Sequence, residues 1–472
     1  MSEQKPFYIT TTLPYVNAEP HIGFAMELIH ADVVARAMRL QGREVFFNTG
    51  TDEHGVKIYT KAEEAGQDTQ AYTDEYAAKF RELIALLGID EEIVHFIRTT
   101  DSHHKMAAQE MWKRCKEAGD IYKKNYTIKY CNGCELEKTD SELVDGVCPL
   151  HPNKGLEIRE EENYFFRFSK YQEPLLKLYR ENPEFVIPDF RFNEIIKFVE
   201  RGLEDFSISR LKSKMPWGVA VPDDEEHVMY VWFDALTNYI STIGWPDNTA
   251  NFQKWWPVVQ FAGKDQVRQQ AAMWQGMLLS AGLTPSKQIV IHGFLNVGGQ
   301  KMSKSLGNFI TPHEMVSRFG REVFRVLMAG VNQFEDTDVS IESFNIAYTS
   351  NLVNGLGNLT SRIMTLAQAN LSAPVPVPER EDMSEYFAYL NAYEVKNALE
   401  YVWKRIWSLD KKIQDSKPWE TKDQAVISAL VLELYSIARL INPFMPETSA
   451  KIKALIKANQ KPEQPLFPRL NA

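Results

Sequence analysis

The sequence predicts an α/β protein with a parallel β-sheet, an inserted domain and a C-terminal α-helical bundle. First, β-rich runs alternate with amphipathic helical stretches on both sides of residues 118–214, which is typical of βαβ units. Second, residues 118–214 interrupt that alternation with a cysteine cluster and a charged, aromatic stretch. Third, strand signals stop after about residue 346, where amphipathic helices take over.

The predicted strands share one design, a β-rich run that passes into small or polar residues. Residues 7–13 form the first strand, and apolar residues from Ile22 onward recur at helical spacing until Gly42 closes the helix. Further strands of this kind are EVFFNTGTDEHG (44–55), HVMYVWFDAL (227–236), PVVQFAGKD (257–265) and QIVIHGFLNV (288–297).

Polar residues follow these strands at the points where each strand ends. They are His21, Asp52, Lys264, Asp265 and the loop around residue 300. Ligands bind beyond the carboxyl ends of the strands in parallel sheets. We therefore expect these residues to converge on one site.

The C-terminal third is predicted to be helical throughout. EVKNALEYVWKRIWSLDKKIQ (394–414) is a long amphipathic helix that must end near Pro418. SAPVPVPERED (372–382) is a proline-rich connector between helical segments. These segments together indicate a helical bundle.

Composition indicates an ordinary globular protein of two to four domains. The chain has 472 residues, of which 44% are hydrophobic and 25% are charged. We expect no signal peptide and no membrane span, and hence a cytoplasmic protein. A net charge of −10 argues against a surface coated with nucleic acid, but it allows a local basic surface.

Three of the four cysteines lie within eighteen residues and suggest a metal site. Cys131-x-x-Cys134 and Cys148-x-x-His151 supply a Cys₃His set of the kind that Zn²⁺ prefers. No open coordination position is implied, so we predict one structural zinc ion. The alternative is a set of buried or redox-active cysteines. Cys115 stands apart and is expected in the core.

A glycine-rich loop, GGQKMSKSLGN (298–308), carries Lys301 and Lys304 three positions apart. Two ammonium groups on a pliable loop suit a polyphosphate whose negative charge grows as a bond breaks. A solvated surface loop is the alternative for a generic lysine pair.

The stretch PHIGF (20–24) lies where the first strand passes into a helix. His21 is at the first turn, where free N–H groups and the helix dipole favour an anion. Gly23 permits close approach of a planar group or a backbone segment. A histidine that merely caps or packs against the helix is the alternative.

Taken together, PHIGF and KMSKS resemble the paired signatures of class I aminoacyl-tRNA synthetases. Within that class the flanking stretches are similar to those of the methionyl-tRNA synthetase family, from about residue 7 to the C-terminus. These stretches are TLPYVN (12–17), NTGTDEHG (48–55), YVWFDALTNYI (230–240), GKD (263–265), HGF (292–294) and KPW (417–419).

The resemblance implies a domain order along the chain. It comprises a Rossmann-like catalytic domain in two halves (1–117 and 215–297), an inserted connective domain with a zinc knuckle (118–214), the KMSKS loop with a stem-contact region (298–345) and a helical anticodon-binding domain (346–472).

The resemblance also implies substrates and the residues that bind them. ATP, accompanied by Mg²⁺, would contact His21, Gly23, Gly263, Asp265, Lys301, Ser303 and Lys304, of which His21, Lys301 and Lys304 would be catalytic. L-Methionine would contact Leu13, Tyr15, Asp52, Trp232, Ala235, Tyr239 and Trp274, although each aromatic residue could equally be plain core. The anticodon of tRNA(Met) would contact Asn358, Arg362 and Trp419, the last of which could instead be a packing residue. The sequence leaves the oligomeric state open, and we expect a monomer.

The chain departs from the family pattern at three positions. Phe24 stands where the first signature usually has a second histidine, and Gln266 and Gln270 stand where an apolar residue and a histidine are more usual. We hypothesise that the three changes are one linked rearrangement.

Three other functions remain open on the sequence. One is a synthetase-like RNA-binding protein that no longer activates an amino acid, which the three departures favour. Another is a class I enzyme for leucine or cysteine, which the aromatic pocket residues oppose. The last is a zinc-dependent nucleic-acid-binding protein without catalysis, which leaves the strand-end residues unexplained.

Overall fold

The computed structural model describes residues 5–131, 136–138, 143, 146–149, 155–302, 308–379 and 381–470. Four predicted site residues, Cys134, His151, Ser303 and Lys304, lie outside these ranges, and only the backbone is described for Cys131.

The described strands are numbered in chain order. They are β1 Phe7–Thr10, β2 Val45–Thr51, β3 Val94–Arg98, β4 Ile121–Cys131, β5 Leu136–Lys138, β6 Leu156–Phe166, β7 Val186–Ile187, β8 Phe206–Ser207, β9 Ser209–Leu211, β10 Ala220–Val221, β11 Asp224–Met229, β12 Val259–Gly263, β13 Gln288–His292, β14 Leu295–Val297, β15 Gln300–Lys301 and β16 Thr337–Asp338.

The described α-helices are numbered in the same way. They are α1 Ile22–Leu40, α2 Val56–Glu64, α3 Thr69–Leu87, α4 Ser102–Glu117, α5 Gln172–Glu181, α6 Asp189–Glu200, α7 Val231–Ala235, α8 Asn238–Ser241, α9 Thr249–Trp255, α10 Trp274–Ser280, α11 Pro312–Phe319, α12 Arg321–Ala329, α13 Ile341–Ala347, α14 Asn358–Asn370, α15 Ser384–Asn391, α16 Val395–Ser416, α17 Pro418–Thr421, α18 Gln424–Leu440 and α19 Pro446–Ala458. None of these described helices is long and apolar enough to cross a membrane.

A parallel sheet of six strands organises the first three hundred residues, in the order β3-β2-β1-β12-β13-β7. Its central strands are buried along their whole length because helices cover both faces. Side chains alternate between the two faces, as the pleat requires. Phe261 and Val290 pack towards α1, α3 and α12, whereas Ala262 and Ile291 pack towards α4 and α10. The predicted α/β class with a parallel sheet is confirmed.

Two parts of the predicted sheet are wrong in detail. HVMYVWFDAL does not enter the parallel sheet, because β11 pairs antiparallel with β9 and β10 in a separate sheet and the following VWFDA forms α7. Conversely, β7 comes from within the predicted insertion and completes the edge of the parallel sheet beside β13. A two-residue strand has too short a sequence pattern to be recognised by periodicity.

The rest of the segment between the sheet halves is built on a long antiparallel pair of strands, β4 and β6. The short strand β5 folds back onto the end of β4, so that Cys131 pairs with Leu136. The sequence pattern had indicated an interruption here, and the strands accordingly belong to a four-stranded sheet of their own.

The C-terminal region is helical, as predicted. The long helix α16 ends at Ser416, two residues before the proline that stops it, and the proline-rich connector lies between α14 and α15. A fully buried arginine joins this region to the sheet domain. Arg325 Nη2 donates to Asp32 Oδ2 at 2.6 Å, and its Nε donates to the Phe444 carbonyl at 2.9 Å.

Candidate active site

A cavity of about 320 Å³ opens at the carboxyl ends of the four central strands β1, β2, β12 and β13. Most of the predicted ATP and methionine residues that the structure describes line it. These are Leu13, Tyr15, His21, Gly23, Asp52, Trp232, Ala235, Tyr239, Gly263, Asp265 and Lys301. The predicted convergence of the strand-end residues is therefore observed, because parallel strands bring their carboxyl ends to one edge of the sheet.

His21 serves as the N-cap of α1. Its Nδ1 accepts a hydrogen bond from the Gly23 amide at 3.0 Å, so in the neutral ring the proton is on Nε2. Burial lowers the pKa of His21, and the positive charge of Lys301 lowers it further. The capping alternative is thus real, and it leaves Nε2–H as a donor.

Gly23 is required by this cap. A Cβ atom at that position would lie 2.9 Å from both Cε1 and Nδ1 of the His21 ring. The backbone here can carry no side chain without displacing the capping histidine, which is a close approach of the kind that favours glycine.

Lys301 lies at the rim of the cavity on β15, with its Nζ 4.9 Å from the centre of the Phe294 ring. Lys264 approaches the same ring at 4.7 Å and forms an ion pair of 2.5 Å with Asp336. Of these two lysines, only Lys301 lines the cavity, whereas Lys264, predicted to converge on it, is held at its edge.

Asp52 is buried at the end of β2, and its Oδ1 has no hydrogen-bond partner among the described residues. Burial raises the pKa of Asp52 well above its ordinary value, and the nearby charge of Asp234 raises it further. A buried carboxylate with an unused oxygen is costly unless a cation meets it. The geometry is therefore suited to a ligand with an ammonium group.

Aromatic and aliphatic side chains form the inner wall of the cavity: Leu13, Tyr15, Trp232, Ala235 and Tyr239. Tyr15 is held in place because its hydroxyl donates to the His54 carbonyl at 2.5 Å. Trp274 differs from the prediction, since it lies outside the lining and is buried behind Tyr239, with 5.9 Å between the ring centres. Trp274 and Tyr239 belong to one hydrophobic cluster, together with Ala262 and Ile291 of the sheet.

Gln266 and Gln270 both line the cavity, and Gln270 is fully used by hydrogen bonds. Its Nε2 donates to the Tyr239 hydroxyl at 2.8 Å, and its Oε1 accepts from Gln260 Nε2 at 2.8 Å. The glutamine thus orients Tyr239 at the inner wall.

Sequence reasoning missed a buried pair of side chains that lines the cavity, Glu27 with His292. Glu27 lies one turn beyond Phe24 on α1, and its Oε2 meets His292 Nε2 at 2.6 Å while its Oε1 accepts from the Thr12 amide. Burial alone would lower the pKa of His292, but the bond and charge of Glu27 raise it. A His in HGF and a Glu in the first helix carry no pairing signal along a separation of 265 residues.

Phe24 lines the cavity and meets the Phe80 ring edge-on at 5.4 Å between centres. If Phe24 and the two glutamines are a linked rearrangement, Phe24→His should not raise the rate of ATP–pyrophosphate exchange, because the other two positions keep their glutamine hydrogen bonds. Steady-state exchange assays on wild-type and variant protein test this, and a large gain in rate would refute the linkage.

The predicted RNA-contacting residues lie in the helical region, away from the cavity. Asn358 is exposed at the start of α14, and Arg362 one turn later forms an ion pair of 2.7 Å with Asp410 on α16. Trp419 is 43% exposed, so it is not a core residue.

Of the four predicted zinc ligands, Cys148 is described with its side chain. Cys148 is buried, whereas Cys134 and His151 are not described. Among the described residues no group of three or more histidine, cysteine or acidic side chains is placed to hold a metal ion.

The chain matches known proteins over nearly its whole length. A family model described as "tRNA synthetases class I (M)" matches residues 7–157 and 151–364. The chain is 40% identical to the methionine–tRNA ligase of Thermotoga maritima over 97% of this chain and 76% of that protein. It is 38% identical to the methionine–tRNA ligase of Rhizobium meliloti over 97% of this chain and 92% of that protein.

Solved structures agree with these relatives. The fold matches Mycobacterium tuberculosis methionyl-tRNA synthetase in complex with methionyl-adenylate with a TM-score of 0.88 and 35% identity, covering 99% of this chain and 100% of that one. The apo form of the same enzyme matches with a TM-score of 0.83 and 31% identity, covering 99% of both chains. The resemblance inferred from the two signatures is therefore confirmed, and the chain belongs to the methionine–tRNA ligase family of class I tRNA synthetases.

Proposed function

We propose that this protein activates L-methionine with ATP and transfers it to tRNA(Met). In the first step the methionine carboxylate attacks the α-phosphate of ATP, which gives methionyl-adenylate and releases pyrophosphate. In the second step a ribose hydroxyl of the 3′-terminal adenosine of the tRNA attacks the carbonyl of the adenylate, which gives methionyl-tRNA and AMP.

The observation that carries this proposal is Asp52, a buried carboxylate with an unused oxygen beside an aromatic-walled cavity. The carboxylate suits the ammonium group of an amino acid. Trp232 and Tyr239 offer a thioether sulfur favourable contacts and leave a more polar side chain unsatisfied. Methionine is the amino acid that satisfies both ends of such a cavity.

The nucleotide half of the reaction needs alignment and charge neutralisation, because a carboxylate is already a competent nucleophile. We assign His21 Nε2–H and the Lys301 ammonium to the triphosphate, with Ser303 and Lys304 completing the loop. Mg²⁺ would accompany the triphosphate and share its negative charge. Gly263 and Asp265 would face the ribose. The protein is proposed to be a cytoplasmic monomer.

ATP–pyrophosphate exchange, run with each of the twenty amino acids in turn, tests the proposal. We expect exchange with methionine and none of comparable rate with leucine or cysteine. Folded protein that exchanges with no amino acid would instead support the alternative of a synthetase-like RNA-binding relative, and exchange with another amino acid would reassign the substrate.

The zinc prediction can be tested independently of catalysis. We propose that Cys131, Cys134, Cys148 and His151 hold one structural zinc ion, because three thiolates and an imidazole suit tetrahedral zinc. We expect close to one equivalent of zinc in the purified protein by atomic emission, and loss of that metal in Cys148→Ser. Replacement of Cys115, which is buried and bonded within the core, should leave the zinc content unchanged.

For the tRNA step, we propose that Trp419 stacks on an unpaired anticodon base while Asn358 and Arg362 contact its edges. Trp419→Ala should lower the kcat/KM for tRNA charging by about 5- to 150-fold, which corresponds to ~1–3 kcal/mol of stacking. Exchange without tRNA should be unchanged. Trp407, which is 56% exposed on α16, provides the matched control, and an equal effect of Trp407→Ala would contradict this role.

A further inference from the structure

A buried carboxylate with two histidine partners lies directly behind the amino-acid half of the cavity. Asp234 Oδ2 is 2.6 Å from His54 Nδ1, and Asp234 Oδ1 is 2.8 Å from His104 Nε2. All three side chains are at most 2% exposed. Burial opposes ionisation, yet the charge and hydrogen bonds of the two histidines lower the pKa of Asp234, so the carboxylate is ionised in this cluster.

The cluster joins three separate elements of the fold. His54 follows Asp52 by two residues after β2, Asp234 is part of α7, and His104 is part of α4. His104 is itself fixed, since its Nδ1 lies 3.0 Å from the Ser241 hydroxyl. Neither Asp234 nor either histidine lines the cavity.

The two elements that Asp234 connects carry different halves of the amino-acid site. The segment after β2 carries Asp52, whose carboxylate faces the cavity, and its His54 carbonyl also holds the Tyr15 hydroxyl. Helix α7 carries Trp232 and Ala235 on either side of Asp234 in the chain, and both line the cavity. Breaking the cluster would release the ammonium-binding carboxylate from the side-chain wall.

We propose that Asp234, clamped between His54 and His104, is a positioning residue that sets the distance between the ammonium site at Asp52 and the methionine side-chain wall on α7. The inference rests on the proposed function, because it assumes that methionine occupies this half of the cavity. Asp234 contacts no substrate, and its effect is confined to the amino acid, since the nucleotide residues belong to β12, β15 and the start of α1.

The test is to measure the KM for methionine and the KM for ATP separately in the exchange assay with Asp234→Ala. We expect the KM for methionine to rise about 10- to 100-fold, as for loss of hydrogen bonds to a charged group. The KM for ATP should change by no more than about twofold, the range of uncoupled sites. Asp234→Asn should restore most of the methionine KM, because an amide can accept from one neutral imidazole and donate to the other.

Asp120→Ala is the matched control. This aspartate is also buried and bonded, to Lys170, Tyr171 and Ser280, but it lies away from the cavity. Asp120→Ala should lower the melting temperature, but it should not raise the KM for methionine relative to the KM for ATP. If Asp234→Ala does not fold, His104→Leu removes one of the two clamping bonds and tests the same claim.

Two results would overturn the inference: an unchanged methionine KM in folded Asp234→Ala or His104→Leu, or an equal rise in both KM values. Failure of the proposed function would be distinguishable, because it would appear as absence of methionine-dependent exchange in the wild-type protein.

Discussion

Asp52→Asn is expected to abolish most methionine activation while leaving the folded protein at least as stable as wild type. Removing one partner of a buried charge pair costs about 2–5 kcal/mol, so the kcat/KM for methionine should fall roughly 30-fold to several thousandfold. Stability should not fall, because Asp52 is buried and its Oδ1 oxygen has no hydrogen-bond partner among the described residues.

The stability difference between wild type and Asp52→Asn should depend on pH in a defined direction. Since burial raises the pKa of Asp52, the folded chain keeps a proton that the unfolded chain has already lost, and wild-type stability falls as pH rises through that interval. Asparagine has no proton to lose there. The free energy of unfolding of the variant, relative to that of wild type, should therefore increase as pH rises above the ordinary aspartate pKa. It should reach a plateau above the raised pKa of Asp52.

Thermal unfolding of both proteins without ligand, at several pH values, measures this difference. Asp32→Asn is the contrasting control, since Asp32 is also buried but accepts from Arg325 and Arg36 at 2.6 and 2.7 Å. Removing one partner of such a pair should cost about 3–5 kcal/mol. If Asp52→Asn destabilised the protein to the same extent, or activated methionine normally, the assignment of Asp52 to the ammonium group would be wrong.

Two substitutions of His21 should distinguish its two functions, which are capping α1 and donating a hydrogen bond from Nε2–H. His21→Ala removes both the cap of α1 and the Nε2–H donor, so it should lose about 0.5–2 kcal/mol of stability and roughly 10²–10³ in kcat of exchange. His21→Asn offers an amide oxygen as the acceptor in place of Nδ1, and asparagine is among the preferred residues at an N-cap. It should therefore keep most of the stability and lose a similar factor in kcat.

The melting temperature and the pre-steady-state rate of adenylate formation, measured for both variants, distinguish the two functions. Full activity of His21→Asn would mean that capping is the whole role of the residue. An activity loss that follows the stability loss in both variants would lead to the same conclusion. The control is Ser340→Asn at the N-cap of α13, where Ser340 accepts from the Ser343 amide at 3.0 Å outside the cavity lining.

Some features of the fold and the site could be predicted because they depend on local pattern. The strand that precedes His21 and the helix that follows it have different hydrophobic periodicities. The change from one to the other marks the end of the strand. The same holds for Asp52 after β2 and Gly263 at the end of β12. Parallel strands bring such ends together without further information, so the cavity and most of its lining followed from the order of the motifs.

Other features could not be predicted because they depend on contacts between distant parts of the chain. Trp274 was expected at the cavity, but it is fully buried behind Tyr239 in the same hydrophobic cluster. The run that begins at His227 was expected to join the parallel sheet, yet its first three residues end β11, which pairs antiparallel with β9 and β10. Pairing is a property of two strands, and neither strand encodes it alone.

The amino-acid sequence alone thus determined the order of the motifs and the edge of the sheet where they meet, since propensity and periodicity act over a few residues. It did not determine the charge state of the site. Three properties of the site depend on packing: Asp52 Oδ1 has no hydrogen-bond partner among the described residues, Glu27 meets His292, and Asp234 is held by histidines 180 and 130 residues away. Burial and partner distance set those charges, and both come into existence only when the chain has folded.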